Sequence, residues 1–188
     1  MKKHVIYFAG YGELGYEDAE CVRRITLDIL RDLATSSVIV LCGTLLRING
    51  HDGIAEVYVI AKELGFETAG IHPSVAMQFG DTHRVSSYCD HAFFVRDDTW
   101  GGYLSMIAVP SPTLKLHLAV SDEMVVIGGG KHAADEMRAF AAVGKAVRYF
   151  PANMNMAATR EWCAKAGVEL LDPRGAAYHA WLKVSRDG

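Results

Sequence analysis

Three consecutive glycines, Gly128, Gly129 and Gly130, are followed at once by Lys131 and His132. Glycine lets the backbone approach a bound group closely and turn its N–H donors toward it, and a helix that begins there adds the positive end of its dipole. Lys131 and His132 add side chains that can reach the same group. The pattern predicts a phosphate-binding turn. A glycine turn also occurs wherever an α/β sheet merely needs a sharp corner, and both side chains are equally consistent with solvated residues.

The elements on either side of these glycines follow from the pattern of apolar residues. Met124 to Ile127 is a short apolar run with two adjacent valines, which is typical of a buried strand. After the glycines, apolar residues recur with helical spacing at Ala133, Met137 and Phe140. The sequence therefore predicts a strand, a tight turn and a helix in this order.

A second glycine-rich turn follows the first predicted strand, His4 to Ala9. The spacing of Gly10, Gly12 and Gly15 fits the dinucleotide-binding fingerprint. The acidic residue expected after the second strand is missing, because the strand Val38 to Leu41 is followed by Cys-Gly-Thr. We interpret Gly10 and Gly12 as part of a phosphate or ribose loop, with a plain turn as the alternative.

A third loop, from Gly43 to Gly53, follows the second strand and is longer than a connection normally needs. Surplus loop length at the carboxyl end of a strand is where α/β sheets bind ligands. We therefore predict that Gly43, Thr44 and Gly53 line the wall of the site opposite the Gly128 turn. Asp52 caps the following helix in the simplest interpretation.

Strands alternate with helices from one end of the chain to the other. This alternation predicts a single domain, residues 1–188, with an α/β, three-layer, Rossmann-like fold that has a mainly parallel central sheet and helices on both faces. Val168 to Leu171 is a further candidate edge strand, and the last helix is predicted from about Gly175 to Val184.

Composition narrows the class of partner. The formal net charge is −3, and lysine and arginine do not cluster, so nucleic-acid binding through phosphate neutralisation is not expected. The four cysteines contain no Cys-x-x-Cys pair, and no histidine cluster has tight ligand spacing, so neither a metal nor another cofactor is expected. The apolar run near the N-terminus is too short for a signal peptide or a membrane span, which predicts a cytoplasmic protein without a membrane partner.

From Val5 to Phe150 the order of strands and glycine-rich loops resembles the LOG-like (Lonely Guy, "lysine decarboxylase-like") proteins of the SLOG superfamily of Rossmann-like nucleotide binders. The third predicted strand ends in Ile-His-Pro, and Ser121-Asp122 precede the strand that closes on Gly-Gly. The family signature Pro-Gly-Gly-x-Gly-Thr-x-x-Glu corresponds to residues 128–136, Gly-Gly-Gly-Lys-His-Ala-Ala-Asp-Glu. Two glycines and the terminal Glu136 match, whereas the proline, the third glycine and the threonine do not.

The resemblance implies hydrolysis of the N-glycosidic bond of a nucleoside monophosphate, with Glu136 stabilising an oxocarbenium-like transition state. The arginine of the family falls at Thr113. Lys115 or Arg96 is the available substitute, and a lysine cannot form the same bidentate clamp. A carboxylate near the start of a helix is also favoured by the dipole alone. Family members are commonly homodimers, so the resemblance also implies a homodimer.

We therefore expect the protein to bind a nucleotide or a nucleotide-derived phosphorylated small molecule across the carboxyl ends of its central strands, with or without catalysis. The alternative is a nucleoside 5′-monophosphate N-glycosidase (phosphoribohydrolase) in which Glu136 and Lys115 act on the sugar. A third hypothesis is an assembly module with no ligand.

Overall fold

The computed structural model describes residues 2–12, 14–43, 53–78, 85–104 and 108–187. The helices in these ranges are α1 (Glu20–Leu30), α2 (Glu56–Glu63), α3 (Val75–Gln78), α4 (Pro112–Val120), α5 (Lys131–Ala142), α6 (Met156–Ala166) and α7 (Gly175–Asp187). The strands are β1 (His4–Gly10), β2 (Val38–Cys42), β3 (Glu67–Pro73), β4 (His91–Val95), β5 (Tyr103–Leu104), β6 (Val109–Pro110), β7 (Glu123–Ile127) and β8 (Ala146–Phe150). None of the helices in the described ranges is long and apolar enough to span a membrane.

Six strands form one parallel sheet in the order β4-β3-β2-β1-β7-β8, and β5 and β6 form a separate antiparallel pair. From β1 the sheet grows through β2, β3 and β4 on one side, and the chain then crosses to β7 and β8 on the other. The strand order therefore reverses between β1 and β7, which is where open α/β sheets bind ligands beyond the carboxyl ends of their strands. The predicted α/β, Rossmann-like fold is confirmed.

Alternate side chains of the central strands enter two hydrophobic cores, one on each face of the sheet. In β1, Ile6 and Phe8 belong to the core covered by α1 and α2, whereas Tyr7 and Ala9 belong to the core covered by α5 and α7. This is the two-residue period expected of a buried strand. Because of it, the hydroxyl-bearing side chain of Tyr7 lies on the same face as α5.

The two helices nearest the predicted site begin in different ways. At the start of α4 the hydroxyl of Ser111 accepts a hydrogen bond from Leu114 N at 3.2 Å, and Pro112 occupies the first turn. At the start of α5, Gly130 is the cap residue and makes no side-chain cap hydrogen bond. The first N–H groups of α5 therefore have neither an intrahelical acceptor nor a capping side chain.

The predicted edge strand at Val168 to Leu171 is wrong. These residues pair with no strand in the described chain, and their side chains are exposed. Gly167, at φ +66°, ends α6 in the left-handed conformation, and Val168 N donates to Cys163 O at 3.1 Å. The apolar residues here thus form a surface segment after a helix C-cap, which a short apolar run alone does not distinguish from a strand.

Candidate functional site

The carboxyl ends of the three central strands lie side by side at one edge of the sheet. Gly10, the last residue of β1, is paired with Ile127 at the end of β7, and Phe8 is paired with Cys42 at the end of β2. Gly43 follows β2 directly, and Gly128 follows β7 directly. The parallel topology thus brings the starts of all three predicted glycine loops to the same edge. Thr44 lies outside the described residues.

Gly10 lies where β1 and β7 are bridged by a tyrosine. The hydroxyl of Tyr16 donates to Ile127 O at 2.8 Å and accepts from Tyr11 N at 3.0 Å. A Cβ at Gly10 would overlap that hydroxyl and lie 2.6 Å from Ile127 O. Gly10 is therefore required for the close approach of these groups, and its surroundings are occupied by protein atoms.

Gly12 and Gly53 contact each other. A Cβ at Gly53 would overlap the carbonyl oxygen of Gly12, and Ile54 N donates to Tyr11 O at 2.7 Å. The loop after β1 and the end of the loop after β2 are thus packed backbone to backbone. These two glycines shape the wall of the carboxyl edge through this contact.

Gly128 and Gly129 form the inner part of the triple-glycine turn, with φ values of +56° and +118°. A Cβ at Gly128 would lie 2.5 Å from the ring of Tyr11, and a Cβ at Gly129 would lie 2.6 Å from Ala133 Cβ. The carbonyl oxygen of Gly129 accepts from Ala177 N at 3.0 Å, in the first turn of α7. Both positions require glycine, and both are buried under Tyr11 and α7.

The outer part of the turn is open. A Cβ at Gly130 would meet no atom of the described chain within 4 Å. Lys131 and His132 have exposed side chains at the start of α5, and Lys131 Nζ pairs with Asp135 Oδ2 at 2.7 Å. Gly102, in the segment before β5, lies against His132 and Asp135. This end of α5 combines free space, uncapped N–H groups and a lysine, which is a set that can receive an anion.

Glu136 lies one turn further along α5 and is buried, with 8% of its surface exposed. The hydroxyl of Tyr7 donates to Glu136 Oε2 at 2.9 Å. His117 Nδ1 is 3.4 Å from Glu136 Oε1, and the rings of Tyr7 and His117 lie with centroids 4.3 Å apart. Burial, with the neighbouring Glu136 carboxylate as the next cause, raises the pKa of Tyr7 well above its ordinary value, so Tyr7 remains a donor.

His117 is the least satisfied polar group in this cluster. Only 2% of His117 is exposed, and neither ring nitrogen has a hydrogen-bond partner among the described residues. The 3.4 Å approach to Glu136 is close enough for an ion pair but does not meet the geometry of a hydrogen bond. Buried polar groups without partners are rare in native proteins and often mark sites of function.

Gly43 joins this cluster to the end of β2. A Cβ at Gly43 would lie 3.1 Å from His117 Cε1 and 3.2 Å from Tyr7 Oη. The carbonyl oxygen of Gly43 accepts from His72 Nδ1 at 3.1 Å. Burial lowers the pKa of His72 to about 4, and the nearby His117 acts in the same direction. The structure therefore brings Gly43 and Glu136 together around Tyr7 and His117, with a neutral His72 behind them.

Thr113, at the position of the family arginine, is used for structure. Its N–H and its hydroxyl both donate to Asp97 Oδ2, at 3.0 and 2.7 Å. Asp97 is buried and also accepts from Thr99. Although burial alone disfavours the carboxylate, the hydrogen bonds from Thr99 and Thr113 outweigh it and lower the pKa of Asp97 to about 2. Lys115 and Arg96, the proposed substitutes, have exposed side chains, and the α4 side chain that contacts Glu136 is that of His117.

The sequence analysis does not identify Tyr7, His72 or His117. A usable signal is present, because Glu136 stands three residues after Ala133 and four before Phe140 and therefore shares the buried face of α5. A buried carboxylate requires a donor. Which donor it meets depends on packing between distant parts of the chain. Among the residues that the structure describes, no group of three or more His, Cys, Asp or Glu side chains could hold a metal ion.

No protein-family model matches the sequence, and no curated protein matches it. Several solved structures do. The X-ray structure of TM1055 is 26% identical over 78% of this chain and 72% of that chain, with a TM-score of 0.51. Two structures of the Moco carrier protein from Chlamydomonas reinhardtii are 17% and 19% identical, with TM-scores of 0.53 and 0.51. They cover 100% and 99% of this chain and the same shares of their own chains.

At these identities the likeness to the Moco carrier protein shows the fold alone. The likeness to TM1055 adds a sequence component over most of both chains. The signature that ends in Glu136 lies between β7 and α5, at the carboxyl edge where the strand order reverses. Taken together, these observations show a Rossmann-like fold and support the resemblance of the chain to the LOG-like proteins.

Proposed function

We propose that the protein binds a nucleotide or a nucleotide-derived, phosphorylated small molecule at the carboxyl edge of its sheet. One observation carries the proposal. The start of α5 at Gly130 is open and uncapped, and one turn further along the same helix Glu136 is buried beside His117 of α4. The first feature suits an anion. The second supplies a polar group, the imidazole of His117, that has no hydrogen-bond partner within the described part of the chain.

The phosphate would lie at the outer end of the turn. The N–H groups of Gly130, Lys131 and His132 have no intrahelical acceptor, and the helix dipole favours negative charge there. Lys131 is paired with Asp135 but exposed, so its ammonium can turn toward a phosphate at little cost. In this proposal Gly128 and Gly129 hold the turn in shape, because Tyr11 and α7 already occupy their surroundings.

The remainder of the ligand would extend toward the end of β2. Gly43 lies directly against the buried side chains of His117 and Tyr7, because it has no side chain of its own to hold them away. Gly10, Gly12 and Gly53 support the wall at this edge through the contacts described above. A sugar hydroxyl or a ring nitrogen is the kind of group that the imidazole of His117 can bind.

The structural neighbours favour the same class of ligand. The resemblance to the LOG-like family supports a nucleotide-related ligand, and one of the neighbours, seen in two structures, is a Moco carrier protein. Nucleotides and Moco therefore form the first panel to be tested. A nucleotide and Moco are both small molecules, so both alternatives require a small-molecule site.

Thermal melting tests the proposal directly. A panel of nucleoside mono-, di- and triphosphates, Moco and inorganic phosphate is added to the purified protein, and the ligand is expected to raise Tm with its concentration. Lys131→Ala should reduce that rise. Lys165→Ala is the matched control, because Lys165 is equally exposed and also pairs with an acidic residue four positions away, Glu161. No rise with any compound, or the same loss in both variants, would contradict the proposal.

The N-glycosidase is the second candidate function, and the burial of Glu136 favours it. A carboxylate held by Tyr7 in a water-poor site can stabilise positive charge that develops on a sugar. The residue at the position of the family arginine argues against this enzyme, because Thr113 donates its hydroxyl hydrogen bond to Asp97. Release of free base from a nucleoside monophosphate by the wild type but not by Glu136→Gln would establish the enzyme.

We further propose a homodimer, as the family resemblance implies. Trp100 and Trp181 are our candidates for the interface, and we favour Trp100 because it is about half exposed, whereas Trp181 is partly buried. Sedimentation velocity of the wild type and of Trp100→Ser tests this. A monomer for both proteins over the accessible concentration range would contradict it.

A further inference from the structure

A cavity of about 320 Å³ lies beyond the carboxyl end of β8, where α7 begins. Its lining residues are Tyr149, Pro151, Ala152, Asn153, Arg174 and Tyr178. None of them belongs to the Glu136 cluster or to the start of α5. The cavity adjoins the Gly128 turn: the hydroxyl of Tyr11 donates to Ala152 O at 3.2 Å, and both the Tyr11 ring and Ala152 O lie against Gly128.

One wall of the cavity is a planar cation held in a fixed position. The guanidinium of Arg174 lies over the ring of Tyr178, 4.7 Å from its centroid. Asp172 binds it from the side, with Nε 3.1 Å from Oδ1 and Nη2 2.9 Å from Oδ2. His179 also contacts Asp172, at 2.9 Å. Because these bonds use Nε and Nη2, the remaining nitrogen, Nη1, is the one that can face a ligand.

The lining also includes Tyr149, whose buried hydroxyl has no hydrogen-bond partner among the described residues. The Tyr149 ring is held by stacking on Trp181. Burial raises the pKa of Tyr149 to about 12, so the phenol stays a donor at neutral pH. Pro151 and Ala152 add apolar surface between the two tyrosines, and Asn153 adds an amide.

We propose that this cavity is a second ligand site that binds a planar heteroaromatic ring. Two tyrosine rings and the guanidinium offer flat surfaces for stacking, and the groups at the edge are mainly hydrogen-bond donors, which suit a ring bearing carbonyl oxygens or ring nitrogens. A volume near the lower end of the range for ligand pockets fits one ring system with a small substituent. The site is independent of the phosphate site at α5.

Calorimetric titration with guanosine and adenosine tests the inference, because these probes carry the ring without a phosphate. Saturable binding of at least one of them is expected, weakened about tenfold or more by Tyr178→Ala and by the cavity-filling Ala152→Leu. Tyr88→Ala is the control, because Tyr88 is exposed and does not line the cavity, and this variant should bind as the wild type does. In the labelled wild type, the amide signals of Ala152 and Asn153 should shift on titration.

Three results would overturn the inference. The first is no binding of either nucleoside to the wild type. The second is binding without movement of the Ala152 and Asn153 amide signals. The third is binding that Glu136→Gln and Lys131→Ala abolish while Tyr178→Ala retains it, since the ring would then occupy the site of the proposed function. Binding that Tyr178→Ala alone weakens, in a protein that no phosphorylated ligand stabilises, would support this site and count against the other.

Discussion

The hydroxyl of Tyr7 donates a hydrogen bond to Glu136 Oε2 at 2.9 Å, and this bond joins the central strand β1 to α5. The two residues are 129 positions apart in the sequence. A buried carboxylate is costly unless it is hydrogen-bonded, so Tyr7 and Glu136 depend on each other. The other oxygen, Oε1, is 3.4 Å from Nδ1 of His117, whose imidazole has no hydrogen-bond partner among the described residues. One carboxylate oxygen is therefore hydrogen-bonded, and the group beside the other is not.

Tyr7→Phe should destabilise the protein by about 1–3 kcal/mol, because it leaves the buried Glu136 carboxylate without its donor while the ring still packs. Urea denaturation measures the change. Glu136→Gln in the Tyr7→Phe background should recover part of the loss, since a neutral amide is cheaper to bury unpaired than a carboxylate. Tyr88→Phe, at an exposed position, is the control. Equal effects of the two tyrosine changes would show that the Tyr7 bond is not important for stability.

The stability of the protein should depend on pH through His72. The ordinary pKa of this group is 6.5 and burial lowers it to about 4 in the folded protein. Between these two pH values the unfolded chain binds more protons. The contribution of His72 is therefore fully present above pH 6.5 and is lost as the pH falls toward 4.

His72→Asn keeps a donor for Gly43 O but cannot titrate. The variant should lose about 3 kcal/mol less than the wild type between pH 7 and pH 4. Urea denaturation at the two pH values gives the difference, and His132→Asn, an exposed histidine, is the control. The same loss for wild type and His72→Asn would contradict the assignment of this pH dependence to His72.

Gly10→Ala should greatly lower the free energy of unfolding, whereas Gly130→Ala should change it little. A Cβ at Gly10 would overlap the Tyr16 hydroxyl and press on Ile127 O, so we expect a loss of about 3 kcal/mol or more. At Gly130 the Cβ would enter open space at φ −86°, and the change should stay within about 1 kcal/mol. Thermal melting measures both. A folded, stable Gly10→Ala would mean that β1 and β7 do not approach as closely as described.

Thr113→Val should cost about 1–3 kcal/mol, because it removes a hydroxyl donor from the buried Asp97 carboxylate at nearly constant shape. Thr26→Val is the matched comparison. Thr26 is equally buried, in α1, but its hydroxyl has no hydrogen-bond partner among the described residues, so valine should be neutral or stabilising there. Urea denaturation of the wild type and of both variants measures the two changes in the free energy of unfolding. Similar losses at both positions would refute the role given to the Asp97 contact.

The sequence predicts the fold well because the fold rests on local patterns. The apolar strands, the glycine turns and the amphipathic helices each appear within a short window, and the parallel topology follows from their alternation. The start of α5 after Gly130 is predicted for the same reason. The edge strand predicted at Val168 to Leu171 is wrong for the same reason, because a short apolar run does not show whether a neighbouring strand is there to pair with it.

The candidate site is predicted only in outline. Gly43 and Glu136 are found from the loop and the signature, but the groups between them, Tyr7 and His117, are placed by packing between β1, α4 and α5. The glycines of the inner turn illustrate the same limit. Their spacing predicts space for a phosphate, whereas Tyr11 and α7 fill the space at Gly128 and Gly129, and no local pattern shows that they pack there.

Hydrogen exchange at the start of α5 tests the central proposal most directly. The amides of Gly130, Lys131 and His132 have no intrahelical acceptor, so they should exchange rapidly in the free protein. On saturation with the phosphorylated ligand found by thermal melting, we expect their exchange to slow, while the amide of Lys165, in the last turn of α6, keeps its rate. If the ligand binds and these three amides continue to exchange at the free rate, the phosphate does not lie on this helix and the proposed site is wrong.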